Sequence, residues 1–339
     1  MTGNGSTEAK NFDWARLNQY RGLFAFVFVF LLGCLFTPRV GGTGLPIFLS
    51  WRTQMDILYG YCEYGLLAVG MTLVILTGGI DLSVGSVLGC SATLFALLTI
   101  GYGWSIAPAL LLTVLFGLIA GALNGLLIAY FRMQPFVVTL ATMTGARGLA
   151  KWISGGIKVQ PAAQPWYKLT GDTPPFFRWM SQNLPVIGIK PAVVLFFIAL
   201  LIMAVLVSRS YYGRNLYAIG GNETAARLSG IAVDWIKILT YALCGFFAAL
   251  AGVVNATRQD IGDPEAGATY ELYAIAAVVI GGTSLAGGEG GMGFTFIGLL
   301  IIAYIDKILS LKAVPEAQRL MIQAGIILLA VLIQRRKRS

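Results

Sequence analysis

The chain has 339 residues, 57% of them hydrophobic and 12% charged, with a formal net charge of +9. Soluble domains carry about 25% charged residues, so this composition excludes an ordinary soluble domain and points to an all-α polytopic membrane protein. Histidine is absent, which excludes Ser-His, Cys-His and His-ligated metal centres, and the basic residues flank apolar runs, reading as orientation signals rather than a nucleic-acid stripe.

Residues 1–21 are polar and read as a tail carrying Lys10, Arg16 and Arg21. A helix needs about 20 residues, at about 1.5 Å rise each, to cross about 30 Å of hydrocarbon. Ten spans are expected within a single transmembrane domain at 22–334, near residues 22–37, 55–77, 83–101, 106–130, 135–153, 191–208, 235–257, 270–285, 291–309 and 318–334. The first, "GLFAFVFVFLLGCLF", is followed by no small-x-small cleavage site and reads as a retained span rather than a signal peptide. Cys34, Cys62, Cys90 and Cys244 lie in or beside apolar runs without CxxC spacing and read as small packing residues.

Between the second and third spans, "VILTGGIDLSVGSVLG" places Asp81 in an otherwise apolar stretch. A carboxylate at mid-bilayer costs about 2.5–3.5 kcal/mol on insertion scales, so Asp81 is expected to face protein, water or an inner membrane surface rather than lipid. Gly78 and Gly79 end one helix, and the oxygens of Asp81 and Ser83 are placed to cap the next. The same break suits a discontinuous helix that opens polar backbone onto a solute pathway. On that reading Thr77, Gly78, Gly79, Asp81 and Ser83 belong to the path or its gate, although capping alone explains the residue types.

The fifth span, "PFVVTLATMTGARGLAKW", contains Thr139, Thr142 and Thr144. Threonine in a helix by default bonds its own backbone, whereas hydroxyls facing a pore would suit a neutral polyhydroxylated solute, which adds Thr139 and Thr142 to the candidate path. Arg147 is expected to snorkel outward in preference to lining an entrance. An external loop at about 154–190 follows, where Trp166, Tyr167, Phe176, Phe177 and Trp179 suit either a docking partner or the lipid interface.

A second long connection, at about 209–234, contains "GGNETAARLSGI". Gly220 and Gly221 are read as a chain break, Asn222 as the cap of a new helix and Glu223 as an acidic residue in its first turn, giving a short helix outside the membrane. The external run "RQDIGDPEAGATYELYAIAAVVIGG" carries Asp260, Asp263 and Glu265, with Glu271 at the start of a span; such acids are usually solvated and can also pair with a basic partner. A second break is expected near Gly281–Gly291, where "AVVIGGTSLAGG" echoes "VILTGGIDLSVG". Ten spans put both termini on one side. Of the 24 basic residues, twelve fall on each side; discounting six in or beside the long external loop leaves twelve against six, and the basic tail at 335–339 follows the last span. The positive-inside rule makes that side cytoplasmic. No Gly-Lys dipeptide occurs, so the chain holds no phosphate loop of the form GxxxxGK[ST], and an ATP motor would be on another chain.

Four ordered segments, "GMTLVILTGGIDLSVGSVLG", "QPFVVTLATMTGARGLA", "GRNLYAIGGNETAARLSGI" and "AIAAVVIGGTSLAGG", resemble the permease subunits of bacterial ABC importers for ribose, galactose, xylose and related monosaccharides. The resemblance runs from about residue 55 to the C-terminus, apart from most of the external loop. It implies a type II-like permease fold in the bacterial inner membrane. The implied partners are a second permease subunit in a homodimer or heterodimer, a cytoplasmic ATP-binding protein and an extracytoplasmic sugar-binding protein. The chain itself would bind no cofactor, with ATP and Mg on the partner subunit, and would be a transport subunit rather than an enzyme. It also implies that Asn222, Glu223, Thr224, Ala225, Ala226, Arg227, Leu228, Ser229 and Gly230 form the coupling segment that seats in the ATPase. Many relatives carry aspartate where this chain has Tyr273, which separates it from any one relative's substrate. The alternative expectation is an ion-coupled secondary transporter, for which Asp81 is the acidic residue at a break. A membrane enzyme is disfavoured, since histidine is absent and no nucleophile-base pair is evident. A pentose, a hexose or a small polyol would each suit hydroxyl-lined surfaces.

Overall fold

The computed structural model describes residues 21–41, 44–161, 173–185 and 188–335. Lys10 and Arg16 of the tail, Trp166 and Tyr167 of the long loop, and the basic residues after Arg335 lie outside the described residues. The described chain is helical: α1 Arg21–Phe36, α2 Trp51–Leu76, α3 Val84–Ala96 extended by a π-helical turn at Leu97–Gly101, α4 Ile106–Ala129, α5 Pro135–Ser154, α6 Pro175–Ser181, α7 Pro191–Arg209, α8 Tyr211–Gly221, α9 Glu223–Leu228, α10 Val233–Gln259, α11 Tyr270–Gly281, α12 Met292–Leu311 and α13 Glu316–Arg335. Only two isolated β-bridges, Arg39 with Pro46 and Val159 with Gly262, accompany them among the described residues. Each of the ten expected spans is occupied by a helix, and α2, α3 with its π turn, α4, α7, α10 and α12 are long and apolar enough to cross a membrane.

Local chemistry sets several helix starts. Ser50 caps α2 by accepting from the Thr53 amide at 3.2 Å, and Ser210 caps α8 by accepting from the Gly213 amide at 3.1 Å. Pro135 and Pro191 sit in the first turns of α5 and α7, where a missing N–H costs nothing. The helix α8 corrects the expected break at Gly220 and Gly221. Gly213, Leu216 and Ile219 recur on one buried face and carry the helix through both glycines, so the turn falls at Asn222.

The centre of the bundle is α10, packed against α2, α3 and α4. Lipid removes the hydrophobic drive for helix pairing, so close backbone approach and dispersion must replace it. Gly121 of α4 shows how: a Cβ there would overlap the Tyr241 carbonyl of α10, and Gly117 meets Gly245 in the same way. The long connection between α5 and α7 is also packed. Phe177 of α6 is fully buried and stacks on Phe95 of α3 at 5.5 Å, so it is core rather than a docking residue, while Trp179 remains exposed.

The connection between α10 and α11 re-enters the bundle. Gly262 lies against Thr93 and Ala96, Ala266 against Gly89, and Gly267 against Gly85, so the segment descends along α3 toward its N-terminus. From Gly101 to Gly85 is about 24 Å of helix. Thus α11 starts deep inside, its Tyr270 ring 4.2 Å from that of Tyr64 in the middle of α2, and its 12 residues extend about 18 Å.

Candidate functional site

The first break follows Leu76. Thr77 donates to the Val74 carbonyl at 2.7 Å, Gly78 takes the left-handed conformation at φ +78°, and the chain turns through Gly79 into Asp81. Asp81 is 1% exposed. Its Oδ1 accepts from the Ser83 amide at 2.9 Å and from the Ser83 hydroxyl at 2.6 Å. The Ser83 oxygen accepts from Asn124 Nδ2 at 3.0 Å, and Asn124 Oδ1 accepts from Thr142 Oγ1 at 2.5 Å. One hydrogen-bonded row therefore ties the break to α4 and α5.

That row corrects part of the sequence-based expectation. Asp81 does accept an amide at the entrance to α3, but Ser83 makes no side-chain cap bond, because its hydroxyl donates to Asp81. Thr139 bonds the Pro135 carbonyl of its own helix, as Thr77 does that of Val74. Asp81, Ser83 and Thr142 come together, Thr77 and Thr139 serve their own backbones, and Asn124 is the member that sequence reading missed. A single Asn inside "GALNGLLIA" was the available signal. Asp81 Oδ2 and the Tyr241 hydroxyl are buried without a hydrogen-bond partner.

The second break, Gly282–Gly291, is glycine-rich, and within it the Thr283 hydroxyl accepts from the Gly291 amide and the Ser284 hydroxyl from the Ala286 amide, each at 3.3 Å. Gly282, Gly287, Gly288, Gly290 and Gly291 all have positive φ. The two breaks touch: the Gly288 amide donates to the Leu76 carbonyl at 3.0 Å, and Gly78 faces the Ala286 carbonyl. Arg147 reaches the re-entrant segment, donating to the carbonyls of Pro264 at 2.5 Å and Ala266 at 2.7 Å. It holds irregular backbone in place instead of snorkelling. Two expected partner-facing acids are likewise used within the chain, Asp263 by Lys158 at 2.9 Å and Glu265 by Lys151 at 2.6 Å.

A second buried carboxylate, Glu63 on α2, was not singled out from the sequence. It accepts from Arg258 at 2.6 Å and Asn255 at 2.8 Å, both on α10. Tyr270 of α11 approaches the same carboxylate, and Tyr273 donates to Gln323 of α13 at 2.9 Å. Glu63 is thus neutralised within the bundle, as burial requires.

The short helix α9 stands at the end of the bundle where the two breaks meet. Asn222 caps it, accepting from the Ala225 amide at 3.0 Å, and only Ala226 is buried beneath it. Glu223 bonds Lys237 at 2.6 Å and Arg227 at 3.3 Å, while Arg227 forks onto Asp234 at 2.9 and 2.8 Å. Partial burial works against the Glu223 charge, yet the Lys237 and Arg227 bonds hold its carboxyl below the usual carboxylate range. Glu223 is therefore a brace rather than a free contact. The outward face offers Thr224, Ala225 and Leu228, the last 85% exposed.

Residues 55–332 match the family described as branched-chain amino acid transport system, permease component. The chain is 38% identical to the ribose import permease protein RbsC of Escherichia coli (strain K12), covering 91% of this chain and 93% of that one. It is 40% identical to RbsC of Bacillus subtilis (strain 168) over 86% of this chain and 87% of that one. The xylose transport system permease protein XylH of Escherichia coli (strain K12) is 34% identical, covering 84% and 85% respectively. No solved structure matches the chain. The chain belongs to this family of permease components and is a multi-pass membrane protein.

Proposed function

We propose that the chain is the membrane-spanning subunit of an ATP-driven importer that moves a monosaccharide into the cytoplasm by alternating access. The observation that carries the transport reading is the re-entrant segment. Non-helical backbone at membrane depth is tolerated only where protein covers it or water lines it. Ala268 and Thr269 are exposed in this chain at the start of α11, beside the half-exposed Glu271. That face therefore belongs against a second permease subunit and the aqueous path between the two. Of the sequence candidates, Thr142 and Gly78 retain exposure, whereas Asp81, Ser83, Thr77, Gly79 and Thr139 are buried and brace the wall. Relatives named for ribose and xylose import support a sugar as the solute.

In this reading both termini are cytoplasmic, and α9 with Gly230 seats in a separate ATP-binding subunit that carries ATP and Mg. A loaded sugar-binding protein docks on the opposite side. ATP closes the motor, α9 moves with it, and the path changes sides. The chain does no chemistry itself. The test is uptake into proteoliposomes of tritiated D-ribose, D-xylose and a hexose set by the chain with its ATP-binding and sugar-binding partners. Accumulation that needs all three proteins and ATP is expected. Uptake by the chain alone under a proton or sodium gradient would overturn the proposal in favour of ion coupling, the reading that the unpartnered Asp81 Oδ2 supports.

A further inference from the structure

Between α9 and the membrane interior lies a contact made without side chains. Gly220 sits in the last turn of α8, two residues before the Asn222 cap of α9. A Cβ on Gly220 would overlap both the Leu76 carbonyl oxygen and the Gly288 amide nitrogen, the two groups that join the first and second breaks by a 3.0 Å hydrogen bond. Gly287, at φ +88°, brings the same contact round: a Cβ there would lie 2.8 Å from the Gly78 amide and 2.9 Å from Gly220 Cα. One turn earlier on α8, the Tyr217 hydroxyl donates to the Gly290 carbonyl at 2.9 Å.

We infer that Gly220, Gly78, Gly287 and Gly288, secured by Tyr217, form the joint through which movement of α9 reaches both helix breaks; this rests on the ATP-driven reading above. The physical reason is stiffness. Displacement of one side chain against another is absorbed by rotamer changes, but three backbones in van der Waals contact have no such freedom, and packed contacts shift between discrete arrangements rather than deforming continuously. A displacement of α8 and α9 must therefore move the Leu76–Gly288 contact, and with it the end of α2 and the loop that leads into α12. Gly220 is a positioning residue, since it lies apart from the path.

The test uses the full complex with the tritiated sugar that the wild type accumulates, reading uptake and ATP hydrolysis together. Gly220→Ala is expected to assemble with its partners, to keep hydrolysis within about twofold, and to lose uptake at least tenfold, raising ATP consumed per sugar moved. Gly221→Ala, one residue on, places its Cβ in open space and should match the wild type. Tyr217→Phe leaves the backbone intact and should reduce uptake about threefold to tenfold with hydrolysis retained, which decides the matter if Gly220→Ala fails to assemble. Wild-type uptake per ATP in both Gly220→Ala and Tyr217→Phe would overturn the joint, as would equal losses in Gly221→Ala and Gly220→Ala. Absence of ATP-driven uptake in the wild type would instead overturn the importer reading.

Discussion

The two helix breaks share a sequence rhythm and differ in what holds them. The first, between α2 and α3, is pinned by side chains: Asp81, Ser83, Asn124 and Thr142 form a row across three helices, and Gly78 alone has positive φ. The second, between α11 and α12, has five positive-φ glycines; Thr283 and Ser284 bond its own amides, and what ties it to other elements is the Gly288 amide on Leu76, the Tyr217 hydroxyl and the backbone of α8. A break fastened by side chains is fixed to the bundle wall. A break tied to one neighbouring arm moves with it, here the arm that carries α9.

Substitutions that add a side chain to the second break should do the most damage. Gly290→Ala forces φ +131° on alanine and drives its Cβ into the Thr283 side chain, so a loss of about 2–3 kcal/mol is expected, read as a lower melting temperature in detergent. An unchanged melting temperature would mean that this break is looser than its contacts imply.

The first break should respond to lost partners instead. Asn124→Ala leaves the Ser83 and Thr142 hydroxyls without their shared amide and should cost about 1–3 kcal/mol by the same measurement. Asp81→Asn should cost about 1 kcal/mol and keep near-normal uptake, because an amide oxygen can accept both Ser83 bonds while the new amide nitrogen must be accommodated in a buried site. Abolished uptake in a folded Asp81→Asn protein would show that the charge itself works, and would favour ion coupling.

The smallest effect concerns pH. Glu223 has a folded-state pKa below its unfolded value, so the stability it gives is fully present above the unfolded pKa of about 4.3 and is lost as pH falls through the folded value. Its two ion pairs are partly exposed, each worth about 0–1 kcal/mol. A spin label at the exposed Thr224 should keep one mobility from about pH 8 to pH 5 and loosen only below about pH 4. Loosening near neutrality would mean that Glu223 is not the brace.

Much of this architecture was legible in the chain. A helix lies at each of the ten apolar runs, six of them long and apolar enough to cross a membrane, whereas α11 is a 12-residue helix that run length alone does not tell from a full span; the Asn222 cap follows from a local rule that needs no tertiary knowledge. Depth and pairing were not legible. Asn124 meets Ser83 across 41 residues, and Glu63 meets Arg258 across 195, separations over which no periodicity carries information. The re-entrant segment was hidden for a related reason: Asp260, Asp263 and Glu265 look like a solvated loop, and only contact with Gly85 and Gly89 shows how far the chain descends. The glycines of α8 were misread as a break because glycine marks both chain reversal and close packing, and sequence alone does not separate the two.

On the proposed importer reading, motion enters this chain at α9 from a separate ATPase. A photo-crosslinking residue at Leu228, in the assembled complex, tests it most directly, with the 81%-exposed Trp152 at the opposite end of the bundle as the matched control. Position 228 is expected to crosslink to the ATP-binding subunit with a yield that changes between ATP-bound and nucleotide-free states, and position 152 is not. No ATPase adduct at 228, or equal adducts at 228 and 152, would contradict it.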